Sequence, residues 1–334
     1  MTSVRMLIEE PSQTAGARRE ARRLAMELGF GEVNAEKVAI VVTEAATNLL
    51  KHGSGGEIFL QISAGATPLL EVLAMDRGQG FADLSACSRD GYSTAGTPGN
   101  GLGSIERNSD FSDLYSLPGR GTVLIARFSG SDGSAAQKLA TQPSRLAALQ
   151  TAKPGEDVCG DAWAAWEEPG RQVIIVADGL GHGPEAELAA RTAVALLDEN
   201  ADNTPKDLLE IVHHGLRHTR GAAVAVAELN QENRTIRFAG LGNIAATVCE
   251  SDALSRHLVS LNGTAGMESR TTMREFEYPW PEGSALIMHS DGLTARWEFN
   301  QYPGLLQRDA GLICGVLLRD FSRGNDDATV VAVK

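Results

Sequence analysis

Between residues 129 and 143 the chain reads SGSDGSAAQKLATQP, a run of small and polar residues with no helical or strand period. A segment of that kind cannot continue a packed element, so it divides the hydrophobic pattern in two and predicts a linker. The 334 residues suit this division, because a single hydrophobic core rarely grows past roughly 250 residues. We expect residues 1–128 and 144–334 to fold as separate domains around cores of their own.

Several classes are excluded. Hydrophobic residues make up 43% and charged residues 22%, too apolar a balance for a disordered chain. The longest apolar run, residues 310–318, has nine residues, against the roughly 18 that suggest a membrane span. Met6, Leu7 and Ile8 follow Arg5 but are cut short by Glu9 and Glu10, which leaves no signal-peptide core and predicts a cytoplasmic protein. Cys87, Cys159, Cys249 and Cys314 are far apart with no C-x-x-C pair, as expected of reduced packing residues. The net charge is -13: residues 1–130 carry 12 basic and 15 acidic side chains, the remainder 18 and 28. Nucleic acid is therefore not an expected partner, since its phosphates call for a basic face.

The first half predicts a strand over 4–9, a helix over 15–28 closed by Gly29, a second helix capped by Asn34 and ending at Gly53, and strands over 58–63 and 69–75. A glycine-rich stretch to Gly103, a short helix and two strands over 111–117 and 121–128 follow. This order is α+β, with helices on one face of a mostly antiparallel sheet. The second half predicts strands over 162–167 and 172–177, helices over 184–199 and 205–218, and strands over 222–229, 235–239, 245–248, 285–289 and 329–333, a sheet sandwich flanked by helices.

On the second helix Glu44 and Asn48 are four apart and share a face, continued by Lys51 and His52. A carboxylate so placed can take a proton from an attacking hydroxyl, and an amide oxygen can complete the shell of a phosphate-bound Mg²⁺. Three glycine motifs follow in order: Asp76-Arg77-Gly78-Gln79-Gly80-Phe81, Gly99-Asn100-Gly101-Leu102-Gly103-Ser104 and Gly119-Arg120-Gly121-Thr122. Asp76 can accept a hydrogen bond from an adenine amino group, and a helix opening after the second motif presents free N–H groups to phosphate.

Residues 1–128 resemble the anti-sigma-factor serine kinases of the Bergerat ATP-binding superfamily, on EAATNLLKHG (44–53), DRGQGF and GNGLGS. The likeness is to the switch kinases of bacterial partner-switching modules, which phosphorylate Ser or Thr on a STAS-domain protein. The resemblance implies an α/β sandwich that binds ATP and Mg²⁺, with Glu44 as general base and Asn48 as Mg²⁺ ligand. It implies Asp76 as adenine reader, Gly78 and Gly80 beside it, Gly101, Leu102, Gly103 and Ser104 as phosphate lid, and Thr122 as support for Asp76. Homodimerisation through this half is a family expectation.

The second half carries four acidic markers: Gly160-Asp161, Asp178-Gly179-Leu180-Gly181-His182-Gly183, Ser290-Asp291-Gly292 and Gly324-Asn325-Asp326-Asp327-Ala328-Thr329. Carboxylates at strand ends can converge, and converging carboxylates repel unless cations lie between them. Hard oxygen donors favour Mg²⁺ or Mn²⁺ over zinc, and two such ions can activate water against a phosphoryl group. Residues 144–334 resemble the SpoIIE-type phosphatases, a branch of the metal-dependent serine/threonine phosphatases with an αββα sandwich. That resemblance implies two Mn²⁺ or Mg²⁺ ions held by Asp161, Asp178, Asp291, Asp326 and the Gly179 carbonyl, with Asp327 as a neighbour; Asp157, near the first marker in the chain, can substitute for or assist Asp161.

Other features read as structural. His213, His214 and His218 are expected on the surface, and Trp163 and Trp166, three apart on a strand, on opposite faces in packing roles. The cluster Arg18, Arg19, Arg22 and Arg23 is expected on an exposed helix face. His182 fits a phosphate contact or a loop role equally. Together the motifs predict a kinase fused to a phosphatase, both acting on a STAS-domain antagonist that controls a sigma factor or another downstream regulator. The rival readings are a phosphatase with an ATP-sensing domain and a nucleotide-gated scaffold.

Overall fold

In the computed structural model residues 2–63, 69–81, 101–130, 135–251, 254–267 and 272–334 are described. The chain divides into two compact units, Met1–Ser144 with Gly311–Arg319, and Arg145–Ala310 with Asp320–Lys334. Among the described residues no helix is long and apolar enough to cross a membrane.

The first unit is built on an antiparallel sheet of β1 (Thr2–Ile8), β2 (Gly56–Ile62), β3 (Leu70–Met75), β4 (Phe111–Leu117) and β5 (Gly121–Phe128), in the order β1-β2-β3-β5-β4. Helices α1 (Pro11–Glu27), α2 (Glu32–His52) and α3 (Gly101–Asn108) complete it. Alternate strand residues Ile58, Leu60, Val72, Ala74, Leu124 and Ala126 pack with the apolar stripes of α1 and α2 in one core. On α2 the stripe is Ala35, Val38, Ala39, Val42, Ala46 and Leu49, the spacing that turns one helical face inward. Glu44 and Asn48 fall on its half-buried flank.

Asn34 is not the helix cap that the sequence suggests. Gly31 occupies that position, and the Asn34 amide donates to the Gly130 carbonyl at 3.0 Å. The basic cluster on α1 pairs with acids of the same two helices, Arg18 with Glu36, Arg22 with Glu32, and Arg23 with Glu20 and Glu27. The predicted linker contains a short helix, α4 (Ala135–Ala140), and the buried Arg127 donates to the Gln142 carbonyl at 3.0 Å.

The second unit is a sandwich of two antiparallel sheets. One holds β7 (Asp161–Glu168), β8 (Arg171–Gly179), β9 (Ala222–Asn230), β10 (Thr235–Leu241) and β13 (Phe276–Pro279), in the order β13-β10-β9-β8-β7. The other holds β6 (Leu146–Thr151), β11 (Ala245–Cys249), β12 (Ser255–His257), β14 (Ala285–His289) and β15 (Ala328–Val333), in the order β12-β11-β14-β15-β6. Ile174, Val176 and Phe238 of the first sheet meet Val248, Met288 and Val331 of the second in the inter-sheet core. The opposite face of the first sheet packs under α5 (Pro184–Ala195), α6 (Leu197–Asn200) and α7 (Pro205–Gly215). A further helix, α8, runs over Ala310–Phe321, and its residues Gly311–Arg319 group with the first unit.

Trp163 faces the inter-sheet core and Trp166 the helical side, as their spacing on a strand requires. Cys249 and Cys314 are buried thiols outside any disulfide and Cys159 is a partly buried one, with burial pushing the thiols of Cys159 and Cys249 upward; Cys87 lies outside the described residues.

Candidate functional sites

In the first unit α2 ends where its chain meets the loop after β3. Gly53 closes the helix, its N–H reaching the Leu49 carbonyl at 2.9 Å. A Cβ on Gly53 would lie 2.5 Å from the Asp76 Cβ, and one on Gly78 2.1 Å from the His52 carbonyl oxygen. Both positions must therefore be glycine for helix end and loop to touch backbone to backbone.

Asp76 is held by two backbone bonds. Its N–H donates to the Thr122 carbonyl at 2.9 Å, and its Oδ1 accepts from the Gly78 N–H at 2.7 Å. Burial moves its carboxyl pKa upward, opposed by backbone hydrogen bonds that the carboxylate accepts from Gly78 and Thr122. The Thr122 support thus comes from its backbone, while its hydroxyl shares a 3.0 Å bond with Ser116. Gly80, at φ +62°, packs against the Leu117 carbonyl.

Helix α3 is described from Gly101, three residues ahead of the helix expected after Gly103, and Gly101 faces α2. A Cβ there would lie 3.2 Å from Glu44 Oε2 and 3.5 Å from Asn48 Oδ1. Gly101, Leu102, Gly103 and Ser104 make up the first described turn of α3. The carboxylate and amide lie against this turn, a donor set of hard oxygens that fits Mg²⁺. Gly99 and Asn100 lie outside the described residues.

In the second unit the aspartates come from the ends of neighbouring strands. Asp161 opens β7 and Asp178 lies directly across from it near the end of β8. Asp291 follows β14, and Asp326 and Asp327 precede β15, the strand paired with β14. Burial first, then the charges of Asp161, Asp291, Asp326 and Asp327, push the Asp178 carboxyl well above the usual range. Asp161 rises for the same two reasons, against hydrogen bonds from Ser290 and Thr329.

Two oxygens of this group, Asp161 Oδ1 and Asp327 Oδ2, are buried with no hydrogen-bond donor. A buried carboxylate oxygen without a donor is costly, and a hard cation is the partner that removes the cost. The other oxygens are tied back. Ser290 Oγ donates to Asp161 Oδ2 at 2.6 Å, the Asn243 amide to Asp291 Oδ2 at 2.6 Å, and the Lys153 N–H to Asp327 Oδ1 at 2.9 Å. Among the described residues no three side chains of His, Cys, Asp or Glu already close on one point.

Asp157 is exposed and does not join the cluster, whereas Asp327, set behind Asp326 in the sequence reading, is buried at its centre. Gly179, at the end of β8, is fixed by its N–H bond to the Gly160 carbonyl at 3.0 Å. An open cleft of about 510 Å³ lies beside the group, with Asp178, Asp291, Asp326, Asn243, Lys153 and His182 among its lining. Ser290, Asn243 and Lys153, which hydrogen-bond to these carboxylates, are positions that sequence reasoning missed. Ser290 alone had a local signal, its place in the Ser-Asp-Gly marker. His213 accepts a backbone N–H from Gly266 at 3.2 Å and stacks edge-on with His214, in keeping with structural roles.

Comparison with known proteins follows the same division. A family described as Stage II sporulation protein E (SpoIIE) matches residues 168–334, half of the chain, and one described as histidine kinase-like ATPase domain matches residues 7–128. The serine/threonine-protein kinase RsbT of Bacillus subtilis (strain 168) is 34% identical over 111 residues, 33% of this chain and 84% of RsbT. The phosphoserine phosphatase RsbX of the same organism is 25% identical over 145 residues, 43% of this chain and 72% of RsbX.

Among solved structures, one from work on the bacterial stressosome has a TM-score of 0.53 at 24% identity, covering 57% of this chain and 98% of its own. A crystal structure of RsbX in complex with magnesium has a TM-score of 0.50 at 22% identity, covering 56% and 92%. Both likenesses are of fold. The chain belongs to the SpoIIE family through residues 168–334 and carries ahead of that region a fused histidine kinase-like ATPase domain.

Proposed function

We propose that the chain is a bifunctional partner-switching regulator. Residues 1–128 transfer the γ-phosphate of ATP to a serine or threonine of a STAS-domain protein, and residues 144–334 remove it. The observation that carries this reading is the presence in one chain of donor-less carboxylate oxygens among five aspartates and of Glu44 and Asn48 set against Gly101 of α3. The kinase and phosphoserine phosphatase names of RsbT and RsbX, and the magnesium in the RsbX complex, support it.

In the kinase half Glu44 accepts the proton of the attacking hydroxyl, and the Asp76 carboxylate accepts from the adenine amino group. The first N–H groups of α3 face the phosphates. Asn48 would hold the Mg²⁺, which when bound neutralises phosphate charge. In the phosphatase half Asp161, Asp178, Asp291, Asp326, Asp327 and the Gly179 carbonyl would hold two Mg²⁺ or Mn²⁺ ions, which when bound acidify water and neutralise the phosphoryl group. Ser290, Asn243 and the Lys153 N–H fix three of these carboxylates, and the cleft admits a phosphorylated side chain.

Both activities together only hydrolyse ATP, so a partner or ligand biases one of them. The test is a time course of labelled γ-phosphate from Mg-ATP on a STAS-domain protein of the same genome. Label that accumulates further with Asp178→Ala and never appears with Glu44→Ala is the expected result. Absence of label from every such partner with any variant sinks the kinase half of the reading.

A further inference from the structure

The sequence Lys153-Pro154-Gly155-Glu156 forms a turn closed by the Glu156 N–H on the Lys153 carbonyl at 3.0 Å, with Gly155 at φ +90°. Proline second and a left-handed glycine third are the chemistry of a type II turn. One end of the turn is pinned to the aspartate cluster, through the Lys153 N–H and Asp327 Oδ1. The other end carries Glu156 to His182, whose Nδ1 lies 2.5 Å from Glu156 Oε1. A Cβ on Gly183 would lie 2.9 Å from the second oxygen, Glu156 Oε2, so the carboxylate is seated along the 182–183 backbone as well as on the ring. A carboxylate can only accept, so Nδ1 carries the proton in that bond and Nε2 is the nitrogen left for a molecule in the cleft. His182 lines that cleft with Asp178, Asp291 and Asp326.

We propose that His182 is the catalytic acid of the phosphatase site and Glu156 the residue that positions it. The proposal rests on the phosphatase reading above and deepens it. A phosphoserine leaves as an alkoxide, one of the poorest leaving groups in phosphoryl transfer, and the aspartate cluster offers nothing to protonate it once the carboxylates are bound to cations. In the step, the oxygen of water forms the new P–O bond and the bond from phosphorus to the seryl oxygen breaks. Its electron pair stays on the seryl oxygen, which takes the proton from His182 Nε2. The proton given up by the attacking water goes to solvent, from which His182 is reprotonated, and the products are serine and inorganic phosphate.

The test compares the full chain, loaded with Mn²⁺, as wild type, H182Q and E156Q, on a phosphoserine peptide and on p-nitrophenyl phosphate, whose leaving group needs no proton. Metal binding is followed separately by the thermal shift that Mn²⁺ produces. General acid catalysis is worth about 10²–10⁴-fold. H182Q is therefore expected to lower kcat on the peptide by at least ~100-fold and on p-nitrophenyl phosphate several-fold at most, with its Mn²⁺ thermal shift retained. E156Q is expected to show the same split with a smaller peptide loss. Equal losses on both substrates, a lost thermal shift, or no loss on the peptide would each overturn the proposal. Wild type that turns over neither substrate with Mn²⁺ or Mg²⁺ overturns the phosphatase reading itself, and this proposal with it.

Discussion

The crowded aspartates make the metal-free protein sensitive to pH in a direction that the geometry fixes. Asp161 and Asp178 have pKa values raised on folding by burial and by neighbouring carboxylates. Between the ordinary carboxylate range near pH 4 and about pH 8 the folded chain therefore holds more protons than the unfolded one. Stability must fall as pH rises through that window. A pKa raised by one costs about 1.4 kcal/mol. With pKa values of about 7 and about 8 the two aspartates titrate mainly between pH 5.5 and 8.0, and allowing each only one pH unit's worth of that window, as a discount for their coupling, gives about 3 kcal/mol. For a unit of 150–250 residues each kcal/mol moves the melting temperature by roughly 2–4 °C, so the loss is about 6–12 °C. The assay is thermal unfolding after EDTA treatment at pH 5.5 and 8.0, repeated with Mn²⁺, and with a D161N/D178N double variant as the control for all other titrating groups. The wild type should melt lower at pH 8.0, the double variant should lose most of that slope, and the gain from Mn²⁺ should be larger at pH 8.0, because the cation replaces protons. A wild-type slope equal to that of the double variant, or a metal gain independent of pH, would refute the reasoning.

Two further perturbations probe particular contacts. A Cβ at Gly160 would lie 2.6 Å from Asp327 Oδ2, so G160A should push that donor-less oxygen aside and weaken Mn²⁺ binding by roughly 10–100-fold, read by titration calorimetry; unchanged affinity would remove Asp327 from the proposed ligands. Glu228 is buried and accepts from Arg171 at 3.0 Å and Arg237 at 2.5 Å, so E228A leaves these arginines only longer contacts to acids, such as Glu168 at 3.4 Å and Glu275 at 3.8 Å, and should cost about 3 kcal/mol in chemical denaturation; a loss below about 1 kcal/mol would mean that solvent and the remaining acids already screen the arginines.

How far the sequence could be read depended on whether a position's role is local. The α2 stripe, the Asp76 turn and the four acidic markers announce themselves because spacing along one strand or helix sets their geometry. Asp161 and Asp178 are 17 residues apart in the chain yet face each other across one hairpin, and a marker at each strand end was enough to find both. The missed elements depend on distant partners. β6 pairs with β15, from the far end of the chain, and its sequence LAALQT has no strict alternation because both of its faces meet protein or strand neighbours. Asn34 is a good cap by composition, but a carbonyl 96 residues away holds its amide. Choosing between Asp157, Asp161, Asp326 and Asp327 needed burial, which no local pattern encodes when four aspartates all sit in polar turns. The same reasoning explains why Glu156 was invisible. Its turn is written plainly in Pro154-Gly155, but its meaning lies in His182, 26 residues on, and only the fold shows that the turn which pins Asp327 through Lys153 also orients a histidine at the edge of the aspartate cleft.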